Sequence, residues 1–323
     1  MLNDLMMKAM PEWVVYTITA GAGFLITLLL LIKPFSFLPK DGGKRVETPD
    51  GKIIVINDKS SGKVTGVGLI FVIVFLLMSV LFLPLNAELL IYVGLMFLMM
   101  LTGYLDDASS TPWGELVKGL MDLALSIGAV VTFLCYHGSD VTFFNTTFHM
   151  PVWLYGILGV VLMWVSINVT NCSDGVDGLC GSVSVVTIAA YFMIFQNIMP
   201  TYAWMGLLMV GVLAAYLIFN WNPSKVLMGD AGSRTIGFLL ALLAMQSGHP
   251  FIFLLMSIVF IFDGGMGLIK VSLIRFLKVN AFPNVKFPFH DHMRKEMGVP
   301  IRAIPLIFAM IQVVACTVAA IIV

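Results

Sequence analysis

The amino-acid sequence predicts an all-α polytopic integral membrane protein with about ten transmembrane helices. Hydrophobic residues make up 59% of the 323 residues and charged residues only 11%, with a mean hydropathy of +0.99, which excludes an ordinary soluble protein. Apolar windows of about 20 residues, the length that a helix needs to cross a bilayer, recur along the whole chain. They centre near residues 22, 76, 97, 126, 159, 187, 210, 240, 260 and 312.

The windows are expected to form one transmembrane domain over residues 1–323. The first runs from Trp13 to Ile32 and is followed by Lys33, so we interpret it as a retained span that is too long for the core of a signal peptide. Residues 247–250 alone separate the windows near 240 and 260, so nine or eleven spans are also compatible with the hydropathy. Even the weaker windows are predicted as helices, because an open strand edge in lipid leaves backbone groups unpaired.

The distribution of basic residues predicts the orientation, because cytoplasmic loops carry an excess of Lys and Arg. Only Lys8 precedes the first window, so the amino terminus is predicted outside, and ten spans place both termini outside. Seven basic residues lie between the first two windows: Lys33, Lys40, Lys44, Arg45, Lys52, Lys59 and Lys63. Ten spans place the others on or beside the cytoplasmic side as well: Lys118, Lys225, Arg234, Lys270, Arg275, Lys278, Lys286, Arg294, Lys295 and Arg302. This segregation supports ten spans independently of hydropathy.

Two loops are predicted to contain strands. Residues 47–51 form a turn signal in the first cytoplasmic loop, and Ile53 to Ile56 after it have the composition of a short strand, which together predict a hairpin. On the outer side, residues 141–150 are rich in Thr, Phe and Val and are also strand-like.

Four polar segments interrupt the apolar pattern, and the predicted topology places all of them in cytoplasmic loops. They are residues 103–107, 168–178, 220–233 and 288–292. The second segment organises the others, because Asp174 and Asp177 lie among Gly175 and Gly178. Glycines permit a tight turn there, and its backbone N–H groups can approach a ligand closely.

Acidic residues of the first and third segments predict a cation site. Asp106 and Asp107 lie at the cytoplasmic end of a predicted span, where carboxylates are costly unless they hold a cation or take part in chemistry. One is a candidate base and both are candidate metal neighbours. Asp230, between Gly229 and Gly232, occupies a turn that can present N–H groups to phosphate while the carboxylate holds Mg²⁺. A solvated carboxylate pair and an ordinary turn are the alternatives for each segment taken alone.

The fourth segment adds His290 and His292, which flank Asp291 in a loop rich in Lys and Arg. A zinc site is one alternative, but no third zinc ligand lies at a familiar spacing, and the oxygen-rich segments suit magnesium better. We expect the pair to contact phosphate or ribose, and an ordinary loop histidine is the alternative for either residue.

Together the segments indicate magnesium-assisted chemistry on an anionic phosphate compound at the membrane surface. No Walker-type G-x-x-x-x-G-K-[ST] motif is present, which argues against an ATP-driven pump. The formal net charge is zero, so nothing indicates nucleic-acid binding.

The order and spacing of these motifs resemble the polyprenyl-phosphate N-acetylhexosamine-1-phosphate transferases, and within them the phospho-N-acetylmuramoyl-pentapeptide transferases. The resemblance rests on Asp106-Asp107, residues 171–179, Asn220 with Pro223, residues 228–233, and His290 with His292. The chain departs from the family pattern in four ways. Asp291 stands between the histidines where the family usually has a third histidine, and Leu227 replaces a common aromatic residue. No lysine follows the Asp pair closely, and residues 63–68 match the family's first-loop motif only loosely.

The resemblance implies transfer of phospho-MurNAc-pentapeptide from UDP-MurNAc-pentapeptide to undecaprenyl phosphate in a bacterial plasma membrane, with release of UMP and formation of lipid I for peptidoglycan synthesis. It implies Mg²⁺ at Asp230 and Asp107, and a base at Asp106 or Asp107. Asp230 and His290 are the other implied catalytic residues. The implied substrate-binding residues are Asn171, Asp174, Gly175, Asp177, Asn220 and His292.

Two alternatives are compatible with the sequence. A related transferase that uses UDP-GlcNAc has similar motifs at residues 228–233 and 293–294. A metal-ion or proton-coupled transporter would use carboxylates near the middle of the membrane, and only Asp122 and Asp263 lie well inside apolar stretches. The sequence leaves open whether the chain forms a homodimer.

Overall fold

A computed structural model describes residues 2–33, 35–41, 44–47, 53–56, 62–109, 111, 113–144 and 146–323. Helices dominate it: α1 (Leu2–Ala9), α2 (Glu12–Ile32), α3 (Gly68–Phe82), α4 (Ala87–Ala108), α5 (Glu115–His137), α6 (Val152–Cys172), α7 (Leu179–Phe195), α8 (Pro200–Asn220), α9 (Gly229–Gln246), α10 (Pro250–Met256), α11 (Ile258–Leu277), α12 (Phe289–Lys295) and α13 (Ala303–Ile322).

Among the described residues, six helices are long and apolar enough to cross a membrane, and the pair α10–α11, bent by 66°, makes a seventh if it is one span. The six are α2, α4, α5, α6, α8 and α13. Each of the ten apolar windows falls on one of these elements, on the shorter apolar helices α3 and α7, or on α9. The structure is mostly helical and is consistent with the predicted polytopic membrane protein, whereas the count of ten spans and the sides of the termini stay predictions.

Both strand predictions are confirmed. Strand β1 (Lys44–Glu47) pairs antiparallel with β2 (Ile53–Ile56) between α2 and α3. Strand β3 (Asp140–Phe143) pairs in the same way with β4 (Thr146–His149) between α5 and α6. Of the turn predicted at residues 47–51, Glu47 is the last residue of β1, and residues 48–51 lie outside the described residues.

Helix α9 is the buried centre of the bundle. Every residue from Ala231 to Gln246 is buried, and α3, α4 and α6 pack against this helix. Glycines permit the close approach, because a Cβ at Gly68, Gly103 or Gly237 would overlap the backbone of the facing helix. The first turn of α9, which carries Asp230, is therefore wedged between its neighbours.

Polar contacts also fix the opposite end of α9. Glu88 of α4 is buried, and its Oε1 accepts a hydrogen bond from Nε2 of Gln246 at 2.7 Å. The same oxygen lies 2.7 Å from Nε2 of His137, at the end of α5. A buried carboxylate needs such partners, so α4, α5 and α9 are joined at this end too.

A buried ion pair joins α5 to α9 close to Asp230. Nε of Arg234 donates to Oδ1 of Asp122 at 3.1 Å, and Nη2 contacts the same oxygen. Both side chains are almost fully buried. Charges inside a helical membrane bundle are costly unless they are paired, so each residue depends on the other.

Asp122→Leu should destabilise the protein strongly, because it leaves the Arg234 guanidinium buried without its partner. Loss of one member of a buried ion pair costs about 3–5 kcal/mol. The double variant Asp122→Leu/Arg234→Leu should recover most of this loss, since apolar replacement of both partners is often close to neutral. Thermal unfolding in detergent micelles measures the stability of both variants. Equal losses of stability in the two would contradict the dependence of Arg234 on Asp122.

Candidate active site

The four polar segments meet at one end of the bundle, around three carboxylates. Oxygen atoms of Asp106, Asp107 and Asp230 lie within 4.8 Å of one another. The backbone N–H of Asp230 donates to Oδ2 of Asp107 at 2.9 Å, so the end of α4 caps the first turn of α9. Gly229 allows this contact, because it has a φ of 65° and a Cβ there would overlap the Asp107 carboxylate. The partial positive charge of the α9 amino-terminal end favours carboxylates at this place.

Lys118 completes the cluster, although the sequence analysis used this residue only to predict the orientation in the membrane. Lys118, near the start of α5, contacts the Asp106 carboxylate and lies 3.2 Å from Oδ2 of Asp230. The other oxygen of Asp106 accepts the backbone N–H of Trp113 at 2.6 Å. One ammonium thus offsets two carboxylates, although no lysine follows the Asp pair closely in the sequence. No motif signals Lys118, because its contacts cross from one helix to two others.

Asn171 connects the second polar segment to the carboxylates. Its Nδ2 donates to Oδ1 of Asp230 at 2.9 Å and to Oγ of Ser233 at 3.0 Å. The Ser233 hydroxyl in turn donates to the backbone carbonyl of Gly229 at 3.0 Å. Lys118 and Asn171 therefore each bind one oxygen of Asp230, and together they orient this carboxylate.

The donor set fits Mg²⁺, the predicted cofactor. Carboxylate oxygens are the protein ligands that Mg²⁺ prefers, and this ion is usually bound through one or two of them together with substrate phosphates. Three anions within 4.8 Å repel one another unless cations offset them. The predicted ligands Asp230 and Asp107 both belong to this cluster, and Asp106 lies beside them.

Asp177 holds separate chain segments together. It accepts hydrogen bonds from the backbone N–H and the hydroxyl of Ser224, at 3.1 and 2.7 Å, and from Nδ2 of Asn222 at 2.9 Å. The ammonium of Lys63 lies 3.4 Å away. Burial alone would raise the pKa of Asp177, but the hydrogen bonds from Ser224 and Asn222 and the charge of Lys63 hold that pKa below its ordinary value. The structure thereby brings Lys63, from the loosely matching first-loop motif, to the site.

Two other residues predicted to bind substrate have partners inside the protein. Asn220 is buried, and its Oδ1 accepts the backbone N–H of Gly178 while its Nδ2 donates to the carbonyl of Val226, both at 2.8 Å. Gly178 has a φ of 81°, so Asn220 stabilises a turn that requires glycine. The backbone N–H of Lys286 lies 3.4 Å from Nδ1 of His292. The substrate contacts of Asn220 and His292 stay predictions.

Asp174 lies in the turn between α6 and α7. Burial raises the pKa of its carboxyl well above the ordinary value, and the charges of Asp230, Asp107 and Asp177 raise that pKa further. Keeping a carboxyl group here reduces the stability of the fold at neutral pH. Such perturbed groups cluster at functional sites, which is consistent with the predicted substrate-binding role.

His290 faces the same turn from α12. Its ring is buried, and Nδ1 lies 2.8 Å from Oδ2 of Asp263. A Cβ at Gly175 would overlap Nε2 of His290, so the glycine makes room for the imidazole. Asp263 was not among the residues predicted for the site, because only its place in an apolar stretch distinguishes it in the sequence. The structure nevertheless puts it in direct contact with a predicted catalytic residue.

Comparison with known proteins relates this arrangement to an enzyme family. The family described as glycosyl transferase family 4 matches residues 89–248, which contain the three clustered carboxylates. The chain is 36% identical over 297 residues to the phospho-N-acetylmuramoyl-pentapeptide-transferase of Treponema pallidum (strain Nichols), covering 85% of this chain and 80% of that protein. It is 26% identical over 295 residues to the protein of that name from Streptococcus suis (strain 05ZYH33), covering 85% and 86%. Identity to the Streptococcus pneumoniae (strain CGSP14) protein of that name is 30% over 252 residues, covering 74% and 75%.

Asp174→Asn should stabilise the magnesium-free protein at neutral pH. An unfolded chain ionises this carboxyl at a pKa of about 3.9, whereas the folded protein has a raised pKa. The penalty in the unsubstituted protein begins as the pH rises through the unfolded value and is complete above the folded one, so the gain should be larger at pH 7 than at pH 4. Thermal unfolding in EDTA at both pH values measures it, and an equal gain at both would exclude charge as the cause.

Gly175→Ala should lower turnover because the added methyl group displaces the His290 ring. A displacement of about 1 Å in an active site can cost roughly a hundredfold in rate. Gly94→Ala is the matched control, since this exposed glycine of α4 has nothing within 4 Å of an added Cβ. Turnover and melting temperature are measured for both variants. Full activity in Gly175→Ala would show that the position of the ring is unimportant.

Proposed function

The chain belongs to the phospho-N-acetylmuramoyl-pentapeptide transferase family, and on this premise we propose that it transfers phospho-MurNAc-pentapeptide from UDP-MurNAc-pentapeptide to undecaprenyl phosphate. The reaction releases UMP and forms lipid I, the first lipid intermediate of peptidoglycan. The observation that carries the proposal is the cluster of Asp106, Asp107 and Asp230 within 4.8 Å at one end of a bundle of apolar helices. A water-soluble phosphate compound and a lipid phosphate can meet at such a place.

We place the site on the cytoplasmic face of a bacterial plasma membrane, with ten spans and both termini outside. Six long helices, the helices α3, α7 and α9, and the bent pair α10–α11 supply ten elements. Basic residues at the site end support this orientation, because cytoplasmic surfaces are rich in Lys and Arg. Lys63 contacts Asp177, Lys118 contacts Asp106, and Arg302 donates from Nε to the carbonyl of Asn222.

Asp230 is the proposed Mg²⁺ ligand, with Asp107 beside it. A bound ion supplies positive charge against the diphosphate of the sugar nucleotide. The protein preorganises this metal position, because Asn171 and Lys118 orient the Asp230 carboxylate and the amino-terminal end of α9 favours anions.

Asp107 is the proposed proton acceptor of the Asp pair. A phosphate monoester has a second pKa of about 6, so near neutral pH a base is needed only for the remaining proton or to orient the oxygen. Asp106 is bound through one oxygen to Lys118 and through the other to the backbone N–H of Trp113. Asp107 instead accepts the uncharged backbone N–H of Asp230, so we assign the proton of the acceptor phosphate to this carboxylate.

The turn between α6 and α7 is the proposed nucleotide site. Asn171 contacts Asp230, and Gly175 lies against His290, so this turn adjoins both the metal position and the histidine. Lys63 beside Asp177 adds a cation that can pair with a nucleotide phosphate.

The contacts of Asp122 and Asp263 weaken the transporter alternative. Both belong to the site end of the bundle, where Asp122 pairs with Arg234 and Asp263 with His290. UDP-GlcNAc is the alternative donor within the enzyme class, and a direct comparison of the two sugar nucleotides separates them.

UMP release tests the proposed function. Purified protein with undecaprenyl phosphate and Mg²⁺ should release UMP from UDP-MurNAc-pentapeptide and not from UDP-GlcNAc. Asp230→Asn should keep the fold and lower turnover by roughly a hundredfold or more, because the variant loses the charge that holds the ion. Retained activity with an unchanged magnesium requirement would remove Asp230 from the metal site, and a preference for UDP-GlcNAc would move the chain to the related branch.

The transfer should proceed by a single displacement, in which an oxygen of the acceptor phosphate attacks the β-phosphate and UMP leaves. Without the lipid acceptor we expect no burst of UMP and no exchange of labelled UMP into the sugar nucleotide. A nucleophilic aspartate would instead form a covalent phospho-sugar enzyme. Acceptor-independent exchange that disappears in Asp107→Asn or Asp106→Asn would contradict the single displacement and identify that residue as the nucleophile.

A further inference from the structure

Both carboxylate oxygens of Asp263 contact the same residue of the site, His290. Its Oδ1 accepts the backbone N–H of His290 at 2.7 Å, and its Oδ2 lies 2.8 Å from Nδ1 of the same imidazole. Both side chains are buried. The carboxylate thus fixes the backbone of the first turn of α12 and the orientation of the ring at the same time.

Local structure explains how Asp263 reaches this position. It lies in a π-helical segment, Ile261–Gly265, and such segments are frequent at functional sites. Gly264 packs so closely on the end of α6 that a Cβ would overlap the carbonyl of Val169. Helix α6 leads directly into the turn that contains Gly175, so the support of His290 and the turn that it faces are built on the same helix end.

The two hydrogen bonds determine where the ring proton lies. A backbone N–H can only donate, so Oδ1 of Asp263 must accept from it, and Oδ2 remains to face Nδ1. A carboxylate oxygen accepts, so Nδ1 of His290 must carry a proton. The atom that remains available is Nε2, which lies against Gly175 in the predicted substrate-binding turn.

We propose that Asp263 is a positioning residue for the transfer reaction, which keeps the proton of His290 on Nδ1 and directs Nε2 toward the substrate. The inference rests on the proposed function for the identity of the substrate, but the proton position follows from the contacts alone. Because both of its oxygens contact His290, we assign to Asp263 a role that acts through this histidine.

Asp263→Asn separates this role from simple support of the fold. The asparagine Oδ1 must still accept the backbone N–H of His290, so its NH₂ group replaces the oxygen that faced Nδ1. That donor forces Nδ1 to accept and moves the proton to Nε2, while the side chain keeps its size. An asparagine opposite a catalytic histidine is known to trap the wrong tautomer at a cost of roughly 10⁴ in kcat in a serine protease.

Nitrogen-15 NMR of histidine-labelled protein in micelles measures the proton position directly. The chain has five histidines, and the spectrum of His290→Gln assigns the His290 signal by its loss. We expect Nδ1 to be protonated in the unsubstituted protein and unprotonated in Asp263→Asn. An unprotonated Nδ1 in the former, or a protonated Nδ1 in the latter, would overturn the proposal.

Kinetics test the consequence for the reaction. Asp263→Asn should lower kcat by roughly 10²–10⁴ with little change in KM for the sugar nucleotide. The double variant Asp263→Asn/His290→Gln should be no slower than His290→Gln alone, because a residue that acts through His290 has no effect once the imidazole is gone. A further loss in the double variant would show that Asp263 acts independently and would refute the positioning role.

Asp140→Asn is the matched control. Asp140 of β3 also pairs with a histidine, through Oδ1 at 2.7 Å from Nδ1 of His149, but this pair is exposed and lies outside the site. The Asp140→Asn variant should therefore keep full turnover. If no sugar nucleotide releases UMP even with the unsubstituted protein, the proposed function fails, while the NMR measurement still decides whether Asp263 sets the proton of His290.

Discussion

The hydrogen bond from the backbone N–H of Asp230 to the carboxylate of Asp107 fixes the geometry on which the rest of the site depends. It places the first turn of α9 against the end of α4, at a distance that only glycine at positions 103 and 229 allows. Three carboxylates then lie within 4.8 Å although their charges repel one another. The tight packing of α9 is therefore the means by which the protein concentrates negative charge at one end of the helical bundle.

Within the described part of the chain, the negative charge of this cluster is offset only in part. Lys118 pairs with Asp106 and Asp230, and the amino-terminal end of α9 contributes a partial positive charge, which leaves Asp107 without a full counter-charge from the residues that the structure describes. An anionic phosphate compound approaching such a cluster needs an accompanying cation. The uncompensated negative charge of the cluster makes the bundle less stable, and the same charge favours the binding of a divalent cation together with its phosphate ligand.

Sequence patterns were sufficient for features that are local. Apolar windows, turn-forming glycines and strand composition predicted the helices, the polar segments and both strand regions, because neighbouring residues alone determine these. Lys118 and Asp263 were not predicted, since their partners lie on other helices. The bend between α10 and α11 was not predicted either, because the apolar composition continues through it. An amide such as Asn220 looks the same in the sequence whether it binds a ligand or, as here, the backbone of Gly178.

The pairing between α5 and α9 shows how buried charges support the site without adding much stability. Lys118 and Asp122 are four residues apart on α5, and Asp230 and Arg234 are four residues apart on α9, so each pair lies on one helix face. Lys118 forms an ion pair with Asp230, and Asp122 forms one with Arg234. Opposite charges therefore face each other across the α5–α9 interface in two successive layers. A shift of one helix along the other would bring like charges together. Because a buried ion pair contributes little net stability, we interpret Asp122 and Arg234 as setting the register that brings Lys118 to the carboxylate cluster.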